Sequence, residues 1–198
     1  MWGFIKILSS IIFNDEVEFD LSTRPFKSKK FGIPIFSGSH LNPELSHIAL
    51  RAKEDNDLMA RKYLAKLISQ AIGLLDLDEI AVVPIPSRTE ANRKRGFAHM
   101  DELLREVAKL NKIKIFDILG HSRKIKDQSG LKIDERFQNL TGAFQVINSK
   151  KVLPNSVFLI DDLITTGATI QAAAEALRVR NIHLLGAISA CATFVFTE

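Results

Sequence analysis

The sequence is poor in cysteine, since Cys191 is the single copy among 198 residues. One thiol cannot form a disulfide within the chain, and it cannot supply the ligands of a cysteine-based zinc ribbon, so zinc is not expected. The five histidines show no metal-ligand spacing, and we expect no metal bound directly by protein side chains. A reducing cytoplasm is the expected location.

Long apolar runs, low-complexity tracts and internal repeats are also missing. The opening segment MWGFIKILSSIIF is apolar but too short to span a bilayer. No small-residue cleavage pattern of a signal peptide follows it. We expect a peripheral helix packed on the domain, and contact with a membrane surface is the open alternative.

Two common nucleotide-binding motifs are absent as well. The sequence contains neither a phosphate loop ending in Gly-Lys-Ser/Thr nor Gly-x-Gly-x-x-Gly. Charged residues make up 25% of the chain and apolar residues 46%, which excludes a disordered protein. The net charge of +4 favours anionic partners but does not distinguish a nucleotide from a nucleic acid.

What the sequence does contain is a regular alternation of apolar strands and amphipathic helices. This alternation predicts an α/β fold with a parallel sheet covered by helices on both faces. The predicted strands are 80–83, 113–118, 143–147, 157–160 and 184–192, and the predicted helices are 57–72, 98–110 and 168–180.

The remaining segments predict the domain organisation. Residues 25–43, rich in Pro, Gly, Ser and Lys, are predicted to form an irregular connector. We therefore expect a small N-terminal appendage at 1–45 and one α/β domain at 46–198. Residues 121–142 predict a long loop with a helical insert at 134–140, and loops of this length are often functional lids.

The main chemical signal lies in the segment SVFLIDDLITTGATIQAAAEALR. Its apolar strand ends in Asp161 and Asp162, and ligands of parallel sheets bind beyond the carboxyl ends of the strands. A short loop then enters a helix, where free N–H groups and the helix dipole favour a phosphate. The residues of this loop are Thr165, Thr166, Gly167, Ala168 and Thr169.

A phosphate site beside two carboxylates indicates a ligand with two kinds of polar group. The three threonine hydroxyls can add hydrogen bonds to the phosphate, and Gly167 lets the backbone turn tightly. The acids need donors, which ribose hydroxyls supply with or without Mg²⁺. The combination describes a ribose 5-phosphate. The alternatives are a solvated Asp-Asp turn and a plain helix entry capped by Thr169.

The run from Asp161 to Thr169 resembles the phosphoribosyl pyrophosphate (PRPP) signature of type I phosphoribosyltransferases. Elsewhere the chain resembles their ComF-type branch of competence and DNA-uptake proteins. The matching motifs are VPIP at 83–86, RKRGF at 93–97, QSGL at 128–131, Arg136, Asn139 and GAF at 142–144. This resemblance implies a type I phosphoribosyltransferase-like fold, PRPP as the ligand, Mg²⁺ arriving with PRPP, and a possible glycosyltransferase activity with an unknown acceptor.

The resemblance also implies roles for individual residues. Asp161 and Asp162 would face the ribose hydroxyls, and the loop at 165–169 would cradle the 5-phosphate. The turn after the first strand of the domain would approach the pyrophosphate through Pro86, Ser87 and Arg88.

Residues 121–140 would form a mobile lid that shields the reaction from water. Basic residues of this lid would neutralise the departing pyrophosphate while the ribosyl centre becomes cationic. The residues implied are Arg123, Lys124 and Lys126.

Two departures from the family pattern limit what is carried over. ComF-type proteins commonly begin with a cysteine-rich metal module, and the N-terminal stretch here has no cysteine. Ala98 and His99 stand where the family often has Asn and Gln, so the contact made by that turn is not transferred.

A basic cluster could bind a second kind of ligand, single-stranded DNA, as the competence resemblance implies. The candidate residues are Arg93, Lys94, Arg95 and Phe97. Nonspecific strand binding normally pairs charge with stacking aromatics, and few aromatics lie nearby, so a solvated face and a pyrophosphate pocket stay open. Two functional classes remain: a transferase, and a noncatalytic module that senses a nucleotide or binds single-stranded DNA.

Overall fold

The computed structural model describes residues 23–125, 132–147 and 153–193. Three features of the sequence lie outside these ranges: the apolar opening segment, Lys126 and the QSGL motif at 128–131. Within the described residues, none of the helices has the length and apolar character of a membrane span.

The described chain contains strands and helices in the following order. The strands are β1 Phe26–Lys30, β2 Ile33–His40, β3 Ile80–Pro84, β4 Ile113–Ile115, β5 Leu119–His121, β6 Phe144–Val146, β7 Ser156–Ile164 and β8 His183–Ala192. The helices are α1 Pro43–Glu54, α2 Leu58–Gly73, α3 Thr89–Arg95, α4 His99–Leu110, α5 Ile133–Leu140 and α6 Ala168–Val179.

Six strands form the central sheet in the order β1-β2-β8-β7-β3-β4. All neighbours pair in parallel except β1 and β2, which pair antiparallel. One face packs a core against α1, α2 and α4, and the other packs a core against α6 with contributions from α5 and β6. The predicted α/β fold, a parallel sheet with helices on both faces, is confirmed.

Local signals explain where the helices on the first face begin. Asp57 accepts hydrogen bonds from the N–H groups of Met59 and Ala60 at 2.9 and 3.0 Å, so its side chain caps the N-terminus of α2. Asn42 caps α1 in the same way, through Leu45 N at 2.8 Å. Helices α1 and α3 were not predicted from the sequence.

The prediction of an irregular connector at 25–43 is wrong. Strands β1 and β2 occupy this stretch, and β2 pairs with β8 from Ile35 opposite Ala187 to His40 opposite Ala192. A Cβ on Gly38 would lie 2.1 Å from the carbonyl oxygen of Leu67, so this glycine serves close helix packing rather than a loop. Residues on both sides of the boundary predicted after residue 45 therefore belong to the same sheet.

Two further strands differ from their predicted form. Strand β6 does not join the parallel sheet but pairs antiparallel with β5 in a separate two-stranded sheet. Strand β4 ends at Ile115, three residues before the predicted end at 118. The helical insert predicted within 121–142 is confirmed as α5.

Candidate functional site

A cleft opens at the carboxyl edge of the sheet because β3 is shorter than its neighbour β7. The last pair between them is Pro84 with Ile160, whereas β7 stays paired with β8 up to Ile164 opposite Ala192. In the described chain, residues 161–164 therefore have a strand neighbour on one side only. A cleft of about 760 Å³ lies over this notch in the sheet.

Asp161 and Asp162 lie inside β7, not after it, which corrects the predicted strand end at residue 160. The N–H of Asp162 donates to Asp161 Oδ1 at 2.9 Å, and the N–H of Leu163 donates to Asp162 Oδ1 at 2.8 Å. The two carboxylates thus satisfy backbone donors within the notch, and both of them line the cleft.

Asp162 has two further partners from distant segments. The Nε2 of His99, a side chain only 1% exposed, lies 3.2 Å from Asp162 Oδ2. The ammonium of Lys53 lies 3.9 Å from the same oxygen. We call these four residues the carboxylate wall: Lys53, His99, Asp161 and Asp162.

The two acids of this wall differ in their pKa. Burial raises the pKa of Asp161, and the adjacent charge of Asp162 raises it further. Burial alone would raise the pKa of Asp162 too, but the charge of Lys53 and the contact with His99 outweigh it and hold that pKa below its usual range. The charge of Asp162 in turn raises the pKa of Lys53 against the effect of burial. The wall therefore pairs an ionised acceptor with an acid that tends to keep its proton.

The predicted phosphate loop leads from β7 into α6 along the same cleft. Gly167, with φ of 83°, is the N-cap residue of α6, so Thr169 lies in the first turn and is not the cap. Thr165 and Thr169 line the cleft, whereas the hydroxyl of Thr166 accepts from Ala168 N at 3.3 Å. Because α6 begins here, its first N–H groups and its positive dipole end are near the two acids.

The turn after β3 lies on the same cleft. Pro86, Ser87 and Arg88 all line it. The Nε2 of His121 donates to the carbonyl oxygen of Pro86 at 3.2 Å, which joins this turn to β5. Burial lowers the pKa of His121, so the ring tends to stay neutral.

We call residues 121–125 and 133–140 the lid wall, since they correspond to the described part of the predicted lid. Arg123 donates to the carbonyl oxygens of Asn139 and Thr141 at 3.0 and 2.9 Å, beside the end of α5. The side chain of Lys124 is 93% exposed and lies 3.9 Å from Glu90 Oε1. Neither basic residue is among those that line the cleft, whereas Arg136 of α5 does line it.

The predicted DNA-binding candidates fall into separate environments. The guanidinium of Arg95 donates to the carbonyl oxygens of Ala91 and Lys53 at 3.0 and 3.3 Å, and so ties α3 to the end of α1. Arg93 and Lys94 are exposed, and Lys94 lines the cleft. Phe97 is half-buried.

Sequence reasoning missed Lys53 and His99 as members of the site. His99 carried one signal, since it stands at a position where the resembling family often has a polar amide. Lys53 carried none, because it lies on a helix that was not predicted.

The amino-acid sequence is similar to those of two competence proteins. Competence protein F of Haemophilus influenzae is 30% identical over 152 residues, which cover 73% of this chain and 66% of that protein. Competence protein ComFC of Streptococcus pneumoniae is 29% identical over 129 residues, covering 65% of this chain and 54% of that protein. The chain thus spans slightly less than two thirds of the first relative and about half of the second.

No protein-family model matches the sequence. A crystal structure of a hypoxanthine phosphoribosyltransferase from Staphylococcus aureus matches over 70% of each chain at 14% identity, with a TM-score of 0.35, too low to support an argument. Both curated relatives are competence proteins, and the chain is similar in sequence to these ComF-type proteins.

Proposed function

We propose that the cleft binds PRPP together with Mg²⁺. The observation that carries this proposal is the convergence of Asp161, Asp162, Thr165 and Thr169 on one cleft at the carboxyl edge of a parallel sheet. Ligands of open parallel sheets bind at this edge, and a phosphate and a diol need these two kinds of partner.

The parts of the ligand fit separate parts of the cleft. The 5-phosphate lies on the loop at 165–169, where the start of α6 supplies donors and a positive dipole end. The ribose hydroxyls donate to Asp162, whose charge strengthens these hydrogen bonds. The pyrophosphate extends towards the turn at 86–88, where Arg88 and Arg136 also line the cleft and supply positive charge.

The residues present fit a magnesium ion that is held mainly by the ligand. Mg²⁺ in phosphate sites is usually bound by one or two carboxylates together with the phosphates, and the ionised carboxylate of Asp162 lines the cleft. Among the described residues no group of three or more metal-ligating side chains occurs. When bound, the ion neutralises phosphate charge, while Asp161 and Asp162 orient the ribose.

Calorimetry with PRPP and Mg²⁺ tests the binding proposal. Wild-type protein should bind at about the micromolar level, as three or four charge-assisted hydrogen bonds allow. Asp162→Asn should weaken binding by about 10- to 100-fold, at about 1.5–3 kcal/mol per lost charged hydrogen bond, and Asp161→Asn should weaken it less, since Asp161 tends to keep its proton. Asp117→Asn, which alters an exposed acid outside the cleft, is the matched control. Absence of heat with wild-type protein, or equal affinities of all three variants, contradicts the proposal.

A transferase and a noncatalytic binding module differ in one measurable product. Transfer of the phosphoribosyl group to an acceptor releases pyrophosphate from PRPP. Pyrophosphate release across a panel of bases, above the rate given by Asp162→Asn, supports a transferase. Binding of PRPP without any such release supports a module that senses PRPP, which would act where PRPP is made, in the cytoplasm.

Single-stranded DNA is the second candidate ligand, favoured by the exposed side chains of Arg93 and of Lys94, the latter of which lines the cleft. Both relatives are named as competence proteins, which agrees with a DNA-related role. Phosphate contacts make log affinity fall linearly with log salt, and each lost contact lowers the slope by about 1. We expect the double variant Arg93→Ala/Lys94→Ala to reduce this slope and Lys109→Ala/Lys112→Ala to leave it unchanged. No measurable binding of an oligothymidine strand at low salt removes this candidate.

A further inference from the structure

The first observation concerns Lys30, a lysine that is only 7% exposed. It is the last residue of β1 and does not line the cleft, yet its ammonium donates to the carbonyl oxygen of Thr165, the first residue of the phosphate loop. The same ammonium lies 3.3 Å from Thr193 Oγ1, and this hydroxyl donates to Thr165 O at 2.9 Å. Lys30 and Thr193 thus both donate to the Thr165 carbonyl, and neither of them lines the cleft.

The second observation is that this buried ammonium has no carboxylate partner among the residues that the structure describes. Lysine is rarely buried without an ion pair, because an ammonium loses its hydration on burial. Burial accordingly lowers the pKa of Lys30. Its partners are two neutral oxygens, so no ion pair among the described residues balances its charge.

The third observation is the shape of the hairpin that carries Lys30. Its two-residue turn, Phe31 and Gly32, has φ of 51° and 78°, and positive φ at phenylalanine is strained. A Cβ on Gly167 would lie 3.1 Å from Cε2 of Phe31 and 3.2 Å from Cδ of Lys30. The ring of Phe31 also meets that of Phe137 on α5 edge to face, at 5.4 Å between centroids. The hairpin tip therefore packs directly behind the loop.

From these observations we propose that Lys30 is a positioning residue for anion binding, acting through Thr165. It fixes the Thr165 carbonyl away from the cleft, so that the N–H groups that follow are turned towards the ligand, and it places a positive charge behind the 5-phosphate. This inference rests on the proposed function, since it needs a phosphate on the loop. It assigns a role in the site to the N-terminal hairpin, which is remote in sequence from the PRPP-type signature.

Calorimetry with ribose 5-phosphate, combined with thermal unfolding of the ligand-free protein, tests this role. Lys30→Met keeps the length of the side chain but removes its charge, and we expect affinity to fall about 10-fold, as for loss of one charge-assisted interaction. The midpoint of unfolding should stay equal or rise, because an unpaired buried charge is removed. Lys29→Met makes the same change at the exposed neighbouring residue of β1 and should bind like wild type. A merely structural lysine would instead lower stability and affinity together.

Thr193→Val supplies a second variant that removes one neutral hydrogen bond to Thr165, and it carries the test if Lys30→Met does not fold. It should weaken ribose 5-phosphate binding about threefold, which is the low end of the effect expected for loss of one neutral hydrogen bond. Affinities of Lys30→Met and Thr193→Val within twofold of Lys29→Met overturn the inference while leaving the proposed function standing. If wild-type protein binds neither ribose 5-phosphate nor PRPP with Mg²⁺, the proposed function fails and the inference fails with it.

Discussion

The carboxylate wall and the lid wall face the same cleft but are held in different ways. Asp162 is buried, and its partners His99 and Lys53 come from two helices that pack on the core of the sheet. Arg123 and Lys124 are exposed, and Arg123 finds its partners within the lid wall itself and at the residue that follows α5. The carboxylate wall therefore depends on helices from distant parts of the chain, whereas Arg123 of the lid wall is held by carbonyl groups in and next to that wall.

This difference has an energetic consequence. Charges that are buried and paired lose much when a partner is removed, because the remaining group stays desolvated. Exposed pairs contribute little, because water and salt screen them. We expect changes to the carboxylate wall to alter the stability of the whole domain, and changes to the lid wall to have local effects.

The largest expected effect concerns Cys191, which lies on β8 behind the carboxylate wall. Burial and the charge of Asp162 raise the pKa of its thiol to about 12, from an ordinary value of 9.0. Its thiolate fraction in folded protein near pH 8 should be roughly a thousandfold lower than in unfolded protein, since each pKa unit is a factor of ten. Modification by a thiol reagent in native buffer and in urea measures this. Equal rates in the two conditions contradict it.

The same thiol gives a direction for stability against pH. The folded state holds the proton of Cys191 more tightly than the unfolded state does, so this stabilising contribution is present below about pH 9 and is lost as pH rises towards 12. Cys191→Ala should flatten the decline in that window, as urea unfolding at several pH values would show.

The next effect separates the two walls by removing His99. His99→Ala leaves a cavity and a buried carboxylate without one of its partners, and we expect a loss of about 3 kcal/mol in the free energy of unfolding. His99→Gln keeps a donor of similar reach and should cost about 1 kcal/mol. Urea unfolding at pH 7 measures both. A His99→Ala protein as stable as wild type would show that Asp162 does not depend on this contact.

The smallest effect is expected in the lid wall. Arg123→Ala removes exposed hydrogen bonds to three carbonyl groups, and we expect a loss of about 1 kcal/mol or less. Hydrogen exchange should rise in α5 and stay unchanged in β7, since the contact is local. Lys124→Ala, the control at the adjacent exposed residue, should leave both regions unchanged. Faster exchange in β7 of the Arg123→Ala protein would contradict the separation of the walls.

The sequence predicted the parts of the fold that local patterns determine. Periodic apolar residues predicted α2, and similar patterns predicted α4 and α6. Strands β1 and β2 were missed because Pro34 and Gly38 were interpreted as loop residues. Gly38 is required because the backbone of α2 packs directly against it. This contact joins segments that are distant in sequence, so no local sequence pattern indicates it.

The candidate site was predictable to a similar degree. Asp161, Asp162 and the loop that follows stand together in sequence, so one motif sufficed to indicate them, and the two acids line one cleft together with Thr165 and Thr169. His99 and Lys53 meet Asp162 only through packing of α4 and α1 against the sheet. The roles assigned to Arg123, Lys124 and Lys126 at the pyrophosphate stay predictions, and Lys126 lies outside the described residues.

The floor of the cleft is formed where β3 ends and β7 continues. Its position therefore depends on how β3 pairs with β7, and not on the length of a loop. Insertions in the surrounding loops would change its rim and leave this floor intact. A shift of β3 by one residue against β7 would instead invert its inward and outward side chains and extend or shorten the notch. The residue at which β3 ends therefore determines how deep the cleft is for a ligand.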